Sequence, residues 1–393
     1  MAQDTVTNLE ELPPLPQTEI PTERPPVSLF RKRLRRFRSI RRGYYSFLFM
    51  LVAYGISFFL PALVNNKALI VRYNGDVYFP LFRYYPASTF GQEAFGEPNY
   101  RDLAQTFRDL SRAEPRGQNS GPSGPKGNWV VMPLIPYSAT ESLLDLPGSP
   151  PHPPSREHIF GTDDRGRDIF ARLAYGFNVS LTFALFVLVI SYAVGIAVGA
   201  LLGYFGGKLD ILGQRVIEIW SSLPFLYTII IISSIVVPIY IPGRNLVLQP
   251  SFWLLIFILT AFDWMGITYY VRGEFYREKA KDYVGAAIAM GASDAAIMFK
   301  HILPNSLTSV VSFAPFMIVG NIAALVALDF LGFGLPAPTP SWGELIGQGT
   351  ENLTKWWLVF YPLGAMFLTL LLIVFIGEAV REAFDPKEFS RLR

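Results

Sequence analysis

Asp263 lies in LTAFDWMG, in the middle of an apolar run that has no basic residue to pair with it. A carboxylate at such depth is costly, so two roles are open. It faces a passage and attracts a cation such as a peptide ammonium, or it hydrogen-bonds a neighbouring helix. A second charged group, Asp163, Asp164, Arg165, Arg167 and Asp168 in TDDRGRD, mixes both signs within six residues. That pattern suits a charge-paired elbow outside the apolar blocks, or else a surface that meets a second protein. Glu218 and Glu378 fall near the ends of apolar blocks and read as interfacial.

Catalysis has little to work with. The chain has no Cys, which excludes thiol nucleophiles, thiolate metal sites and disulfides. His152, His158 and His301 are scattered, and no nucleophile–base constellation stands out. The nearest Gly-rich run, GPSGPKGN at 121–128, lacks the pattern of a phosphate-binding loop and its preceding strand. We therefore expect a non-enzyme that binds no metal or cofactor of its own. ATP, if it drives this protein, is bound by another chain.

The elements that hold these residues are membrane spans. Of 393 residues 51% are hydrophobic and only 17% charged, with mean hydropathy +0.31, and the apolar residues come in long blocks. Six blocks reach the roughly 20 residues that a hydrocarbon core requires: 44–63, 177–202, 216–242, 252–271, 309–329 and 357–380. The third is one long tilted helix or a kinked one, interrupted by Pro224 and Pro238. Several Trp residues fall near block ends, where an aromatic belt belongs.

Residues 1–43 form a Pro-rich, acidic, disordered tail and a basic segment, RKRLRRFRSIRR at 31–42, with eight basic residues in twelve. Basic clusters stay in the cytoplasm, which puts both termini there, together with the 381–393 tail and the loop at 272–308. The 64–176 region is then extracytoplasmic. In it, Asn74-Gly75 within VRYNGDVYFP signals a hairpin, and Pro/Gly/Ser-rich stretches at 114–127 and 147–154 read as flexible. Residues 177–380 make a five-helix core. The net charge of +3 gives no reason to expect nucleic acid.

The loop segment YVGAAIAMGASDAAIMFKHILPN, 283–305, is too polar and too short to span. Ala280, Tyr283, Val284, Ala287 and Ile288 share a helical face. Gly291 is a natural left-handed stop, and Ser293 or Asp294 can cap a second helix that runs to Ile302, before Pro304. The small residues Ala286, Ala287 and Gly291 leave backbone open to close approach. Either this element rests against its own bundle, or something else docks on it.

Gly285-Ala286-Ala287, Gly291 and Leu303-Pro304 resemble, in their spacing, the EAA loop of ABC-importer permeases. In that family the loop is the coupling helix that docks in a groove of the ATPase. The family's Glu is Gly285 here, and His301 takes a usually hydrophobic place; Glu278 or Asp282 are the nearby acids. FGTDDRGRDIFARLAYGFNVSL (160–181), DFLGFGLPAPTPSWGELI (329–346) and GEAVREAFDP (377–386) resemble segments of C-subunit-type dipeptide and oligopeptide permeases. RRGYYSF (41–47) and NNKALIVRYNGDVYFPLFRYYPASTFG (65–91) are similar to the Yej-type subunit, whose system imports peptides and microcin C.

The resemblance implies an all-α polytopic protein of the bacterial inner membrane, with six spans, a MetI-like type I importer core, and an outer insert with some β structure. Its partners would be a second, B-type permease chain, ABC ATPase subunits that use ATP and Mg, an extracytoplasmic peptide-binding protein and a peptide substrate. The alternative is a secondary transporter or channel without an ATPase; it would favour inverted repeats or several carboxylates within spans, and neither is evident.

Overall fold

The computed structural model describes residues 29–113, 127–234, 237–241, 244–248 and 251–384. The acidic tail at 1–28, the Pro/Gly/Ser stretch at 114–126 and the C-terminal tail from 385 lie outside these residues.

Helices carry most of the fold, since a backbone in hydrocarbon must satisfy its own N–H and C=O groups. α5 (Ile169–Phe205), α8 (Phe252–Lys279) and α14 (Trp357–Phe384) are each long and apolar enough to cross a bilayer. Two bent pairs raise the number to five. One is α6 (Gly207–Ser221) with residues Phe225–Ile232 of α7 (Phe225–Ser234), bent by 72°; the other is Asp294–Val311 with α12 (Ala314–Phe330), bent by 55°.

The first expected span is shorter than its block. α1 (Leu29–Ser39) makes the basic segment helical, and α2 (Arg41–Ser57) follows with 17 residues. The chain then turns at Phe58–Phe59 into α3 (Leu60–Leu63), with Pro61 in its first turn. Among the described residues, length and composition thus account for up to five of the six expected spans. The third block also departs from expectation. Its helix breaks at Pro224 and ends at Ser234, and Pro238 lies in a strand. There β4 (Val237–Ile241) pairs antiparallel with β5 (Arg244–Leu248), because β-branched and aromatic residues favour extended backbone.

α5 and α8 form the main contact of the bundle. Gly195, Gly199 and Gly203 repeat every four residues on α5, so they share one face. A Cβ on Gly199 would lie 2.7 Å from the Thr268 carbonyl oxygen, and one on Gly203 2.6 Å from Phe275 Cβ. With no side chains between them the backbones approach closely, and van der Waals contact supplies the attraction that apolar burial cannot within lipid.

Outside the bundle, β1 (Ile70–Tyr73), β2 (Asp76–Tyr78) and β3 (Trp129–Val131) form a sheet in the order β2-β1-β3. Asn74 (φ 52°) and Gly75 (φ 96°) make the expected two-residue turn. α4 (Tyr100–Ala113) covers the sheet through Tyr100, Leu103 and Phe107, which pack with Val71 and Phe90. The third strand joins from far along the chain, a pairing with no local signature. α13 (Trp342–Glu351) lies across the ends of α12 and α14.

Candidate functional site

The segment after α8 folds as a helix–turn–helix. α9 (Asp282–Ala289) ends at Met290, and Gly291 turns left-handed at φ 76°. Ser293 Oγ accepts from the Ala296 amide at 3.3 Å and caps α10 (Asp294–Ala296). The helix does not stop before Pro304. It continues through a π-helical turn, Ile297–Ile302, into α11 (Leu303–Val311), with Pro304 in the first turn. In this π-helical turn the Leu303 amide reaches back five residues to the Met298 carbonyl, and Pro304, which has no N–H to donate, follows in the first turn of α11.

The two faces of this element differ. Val284, Ala287, Ile297 and Ile302 are buried with Ala200, Val271 and Phe275 of the bundle. Ala287 therefore points inward, which corrects the expectation that it lies open. The small free surface is Gly285, Ala286 and Gly291, and a Cβ on Gly285 would meet nothing within 4 Å. Beside it Met290 is 79% exposed, and Ile288 and Phe299, both largely exposed, extend the same apolar surface. Ile288, expected on one helical face with Val284 and Ala287, is exposed while those two are buried.

Polar contacts fasten the inward face. Tyr204 of α5 donates its hydroxyl to Asp294 Oδ1 at 2.5 Å, and Lys279 Nζ donates to the Tyr204 carbonyl at 2.5 Å. Glu278 is buried, bound to Lys281 Nζ at 2.7 Å and to the Tyr283 hydroxyl at 2.8 Å. It is spent inside the chain, which leaves exposed Asp282 as the acid on the open side. Burial raises the Tyr283 hydroxyl, with Asn305 opposing the shift and Glu278 reinforcing it.

Asp263 sits between helices. Asn321 Nδ2 of α12 approaches its Oδ2 at 3.5 Å, a long contact that bridges α8 and α12. It is part-buried, and no basic side chain is ion-paired with it among the described residues.

The acidic-basic elbow before α5 is a buried clasp. Asp163 Oδ1 accepts the Arg165 and Arg167 amides at 3.0 and 2.8 Å, and its Oδ2 accepts Arg167 Nε at 2.7 Å. Asp168 caps α5 through the Ala171 amide at 2.8 Å and binds His158 Nδ1 at 2.9 Å. Arg167 and Arg172 then clamp Glu344 of α13, at 2.9 Å on Oε1 and 2.5 Å on Oε2. Burial pushes the Glu344 carboxyl up, but the two guanidiniums outweigh it and hold it below the usual carboxylate range. Burial and neighbouring Asp163 raise Asp164. Asp163, Arg167 and Asp168 are buried, so they fit the paired elbow and not a contact surface. Glu344, Arg172 and His158 were missed from sequence; Glu344 lies 172 residues from Arg172, and no spacing rule reaches that far.

These features are those of an ABC transporter permease, and the comparisons agree. The family described as the binding-protein-dependent transport system inner membrane component matches residues 195–389. The chain is 41% identical to the inner membrane ABC transporter permease protein YejE of Escherichia coli, over 90% of this chain and 96% of that protein. It is 36% identical to the peptidoglycan transport system permease protein YejE of Agrobacterium fabrum, over 92% and 94%. It is also 37% identical to the oligopeptide transport system permease protein OppC of Haemophilus influenzae, over 59% of this chain and 71% of that protein. A chain of the MetNI methionine ABC transporter superposes with a TM-score of 0.45 at 21% identity, covering 55% of this chain and 98% of that one. The chain belongs to the family of ABC transporter inner-membrane permeases.

Proposed function

We propose that this chain is one of two permease chains in an ATP-driven importer that passes peptides, including peptide antibiotics of the microcin C type, into the cytoplasm. Relatives named for oligopeptide and dipeptide transport support the substrate class. An extracytoplasmic binding protein delivers the peptide, a B-type permease completes the passage, and two ATPase subunits use ATP and Mg. The chain itself does no chemistry. Both termini and the 282–304 element face the cytoplasm.

The observation that carries this reading is the two-faced helix–turn–helix. Its inner side is locked to α5 and α8 by Val284, Ala287, Ile297 and the Tyr204–Asp294 bond. Its outer side offers Gly285, Ala286 and Gly291 beside exposed Met290 and Phe299. A rigid element of this kind transmits a displacement. When the ATPases close on ATP, their groove draws this element and its counterpart together, and the attached spans rotate between inward- and outward-open states.

Pull-down of the tagged chain in mild detergent tests it, with ATPase activity measured on wild type and Gly285→Trp. Position 285 has room for a side chain, so the bulk meets the partner and not the chain's own fold. Co-purification of an ATPase and a second permease, lost or uncoupled in the variant, is the expected result. A chain that purifies alone and moves solute in liposomes without ATP overturns it.

A further inference from the structure

The basic segment at the start of the chain divides its charges between two faces, and only one face is used by the fold. Arg36 Nη2 pairs with Glu382 at 3.0 Å, Arg42 Nη2 with Glu378 at 3.2 Å, and Arg33 donates to Thr308 at 2.9 Å while its guanidinium lies over the Phe384 ring at 5.2 Å. The contacts of Arg33 and Arg36 fix α1 against α14 and α11, and that of Arg42 fixes the start of α2 against α14. Lys32, Arg35 and Arg38 are different: each is exposed, and none has a partner among the described residues. They recur every three residues, so they lie along one stripe of α1, and α1 has no acidic residue to offset them.

The apolar residues of α1 join the lipid side. Phe37 meets Tyr44 and Phe47 of α2 edge-on, with ring centroids 6.3 and 5.9 Å away, and Leu34 one turn earlier is exposed. Phe47, Leu48, Phe49 and Leu51 continue this exposed apolar surface down α2. A short helix with free cations, a phenylalanine and an exposed leucine, at the head of an apolar helix, has the composition of an interfacial anchor.

We infer that Lys32, Arg35 and Arg38 hold the phosphates of anionic phospholipids in the leaflet at the α1 end of α2, which keeps α1 and the α14 end it grips at the membrane surface. The inference rests on the membrane orientation proposed above only for which leaflet is engaged. A lipid surface is favoured over a protein partner because the free cations adjoin the exposed apolar face of α2. An acidic protein would satisfy the charges but would leave Leu34 and that face without a reason to be continuous. Each cation near an anionic surface is attracted by about 1 kcal/mol, or roughly fivefold in binding.

The chain has no native Cys, so Leu34→Cys labelled with an environment-sensitive dye reports on this site alone. The full chain is placed in nanodiscs of phosphatidylcholine with rising phosphatidylglycerol. The expected result is a blue shift with quenching by brominated lipid that grows with phosphatidylglycerol and weakens with salt. Neutralising all three (Lys32→Gln, Arg35→Gln, Arg38→Gln) removes it, whereas Arg35→Lys with Arg38→Lys keeps it. Those side chains have no other partner among the described residues, and purification in the wild-type yield checks this.

A shift independent of phosphatidylglycerol, or unchanged in the triple variant, overturns the inference. So does a shift that comes only when ATPase subunits are added in neutral lipid, which would assign the stripe to a protein interface. Labelling of the cysteine in intact cells by an impermeant thiol reagent fails the orientation instead, and leaves the lipid preference to be read from the nanodiscs.

Discussion

The Tyr204 hydroxyl donates to Asp294 Oδ1 at 2.5 Å and so ties the end of α5 to the second helix of the loop element. Lys279 of α8 reaches the Tyr204 carbonyl and lies 4.9 Å over its ring, so α5, α8 and the loop meet on one tyrosine. This joint links the loop to both long spans, beside the apolar packing of Val284, Ala287 and Ile297.

Tyr204→Phe keeps the ring and removes the donor. A hydrogen bond to a carboxylate contributes about 1.5–3 kcal/mol. We expect ATPase subunits to remain bound while ATP-dependent peptide uptake in proteoliposomes falls roughly tenfold or more. Uptake and hydrolysis falling together in proportion would place the joint in assembly and not in transmission.

Gly291 and Gly285 separate backbone strain from surface bulk. Gly291→Ala forces a side chain onto a left-handed residue, at about 1–2 kcal/mol. Gly285→Ala meets open space and carries no such strain. In thermal unfolding the first variant should lose a few degrees and the second almost none. Equal losses would mean that the Gly285 face already packs within the chain.

At Gly199 the expected outcome is a folding defect. A Val side chain there must displace the Thr268 carbonyl or Val271, and overpacking of this kind costs about 1–3 kcal/mol. Lower detergent-extracted yield and melting temperature are expected, with Gly266→Val, where a Cβ meets nothing within 4 Å, as the tolerant control.

The Glu344 clasp predicts an acid-sensitive junction between α5 and α13. Its folded carboxyl lies below the ordinary value of about 4.3, so its contribution is complete above that value and is lost as pH falls through the folded one. Glu344→Gln removes one of the two carboxylates that Arg167 and Arg172 share, with Asp163 remaining, so it should cost less than the about 3–5 kcal/mol of a fully unpaired buried charge and should flatten this acid limb. Melting temperature against pH for both proteins checks it. An acid limb as steep in the variant as in wild type would move the origin to another carboxylate.

Much of the architecture was legible because it is local. Long apolar blocks name spans, since hydrocarbon thickness sets their length. Asn74-Gly75 names a turn, Gly291 a left-handed stop and Ser293 a cap, each from the conformations open to a single residue or its own hydroxyl. The family resemblance was legible for the same reason, as short segments in fixed order.

The rest depended on what packs against what. Ala286 and Ala287 are the same residue type, yet one is open and the other is buried with Val284 against Ala200, Val271 and Phe275 of α5 and α8. The same limit hid the strand at Pro238, the third outer strand and the pairing of Arg167 and Arg172 with Glu344. Residue type and spacing determined which elements form and where they turn. Only the tertiary structure decided which faces are consumed, because burial and ion pairing between distant segments are properties of the assembled bundle.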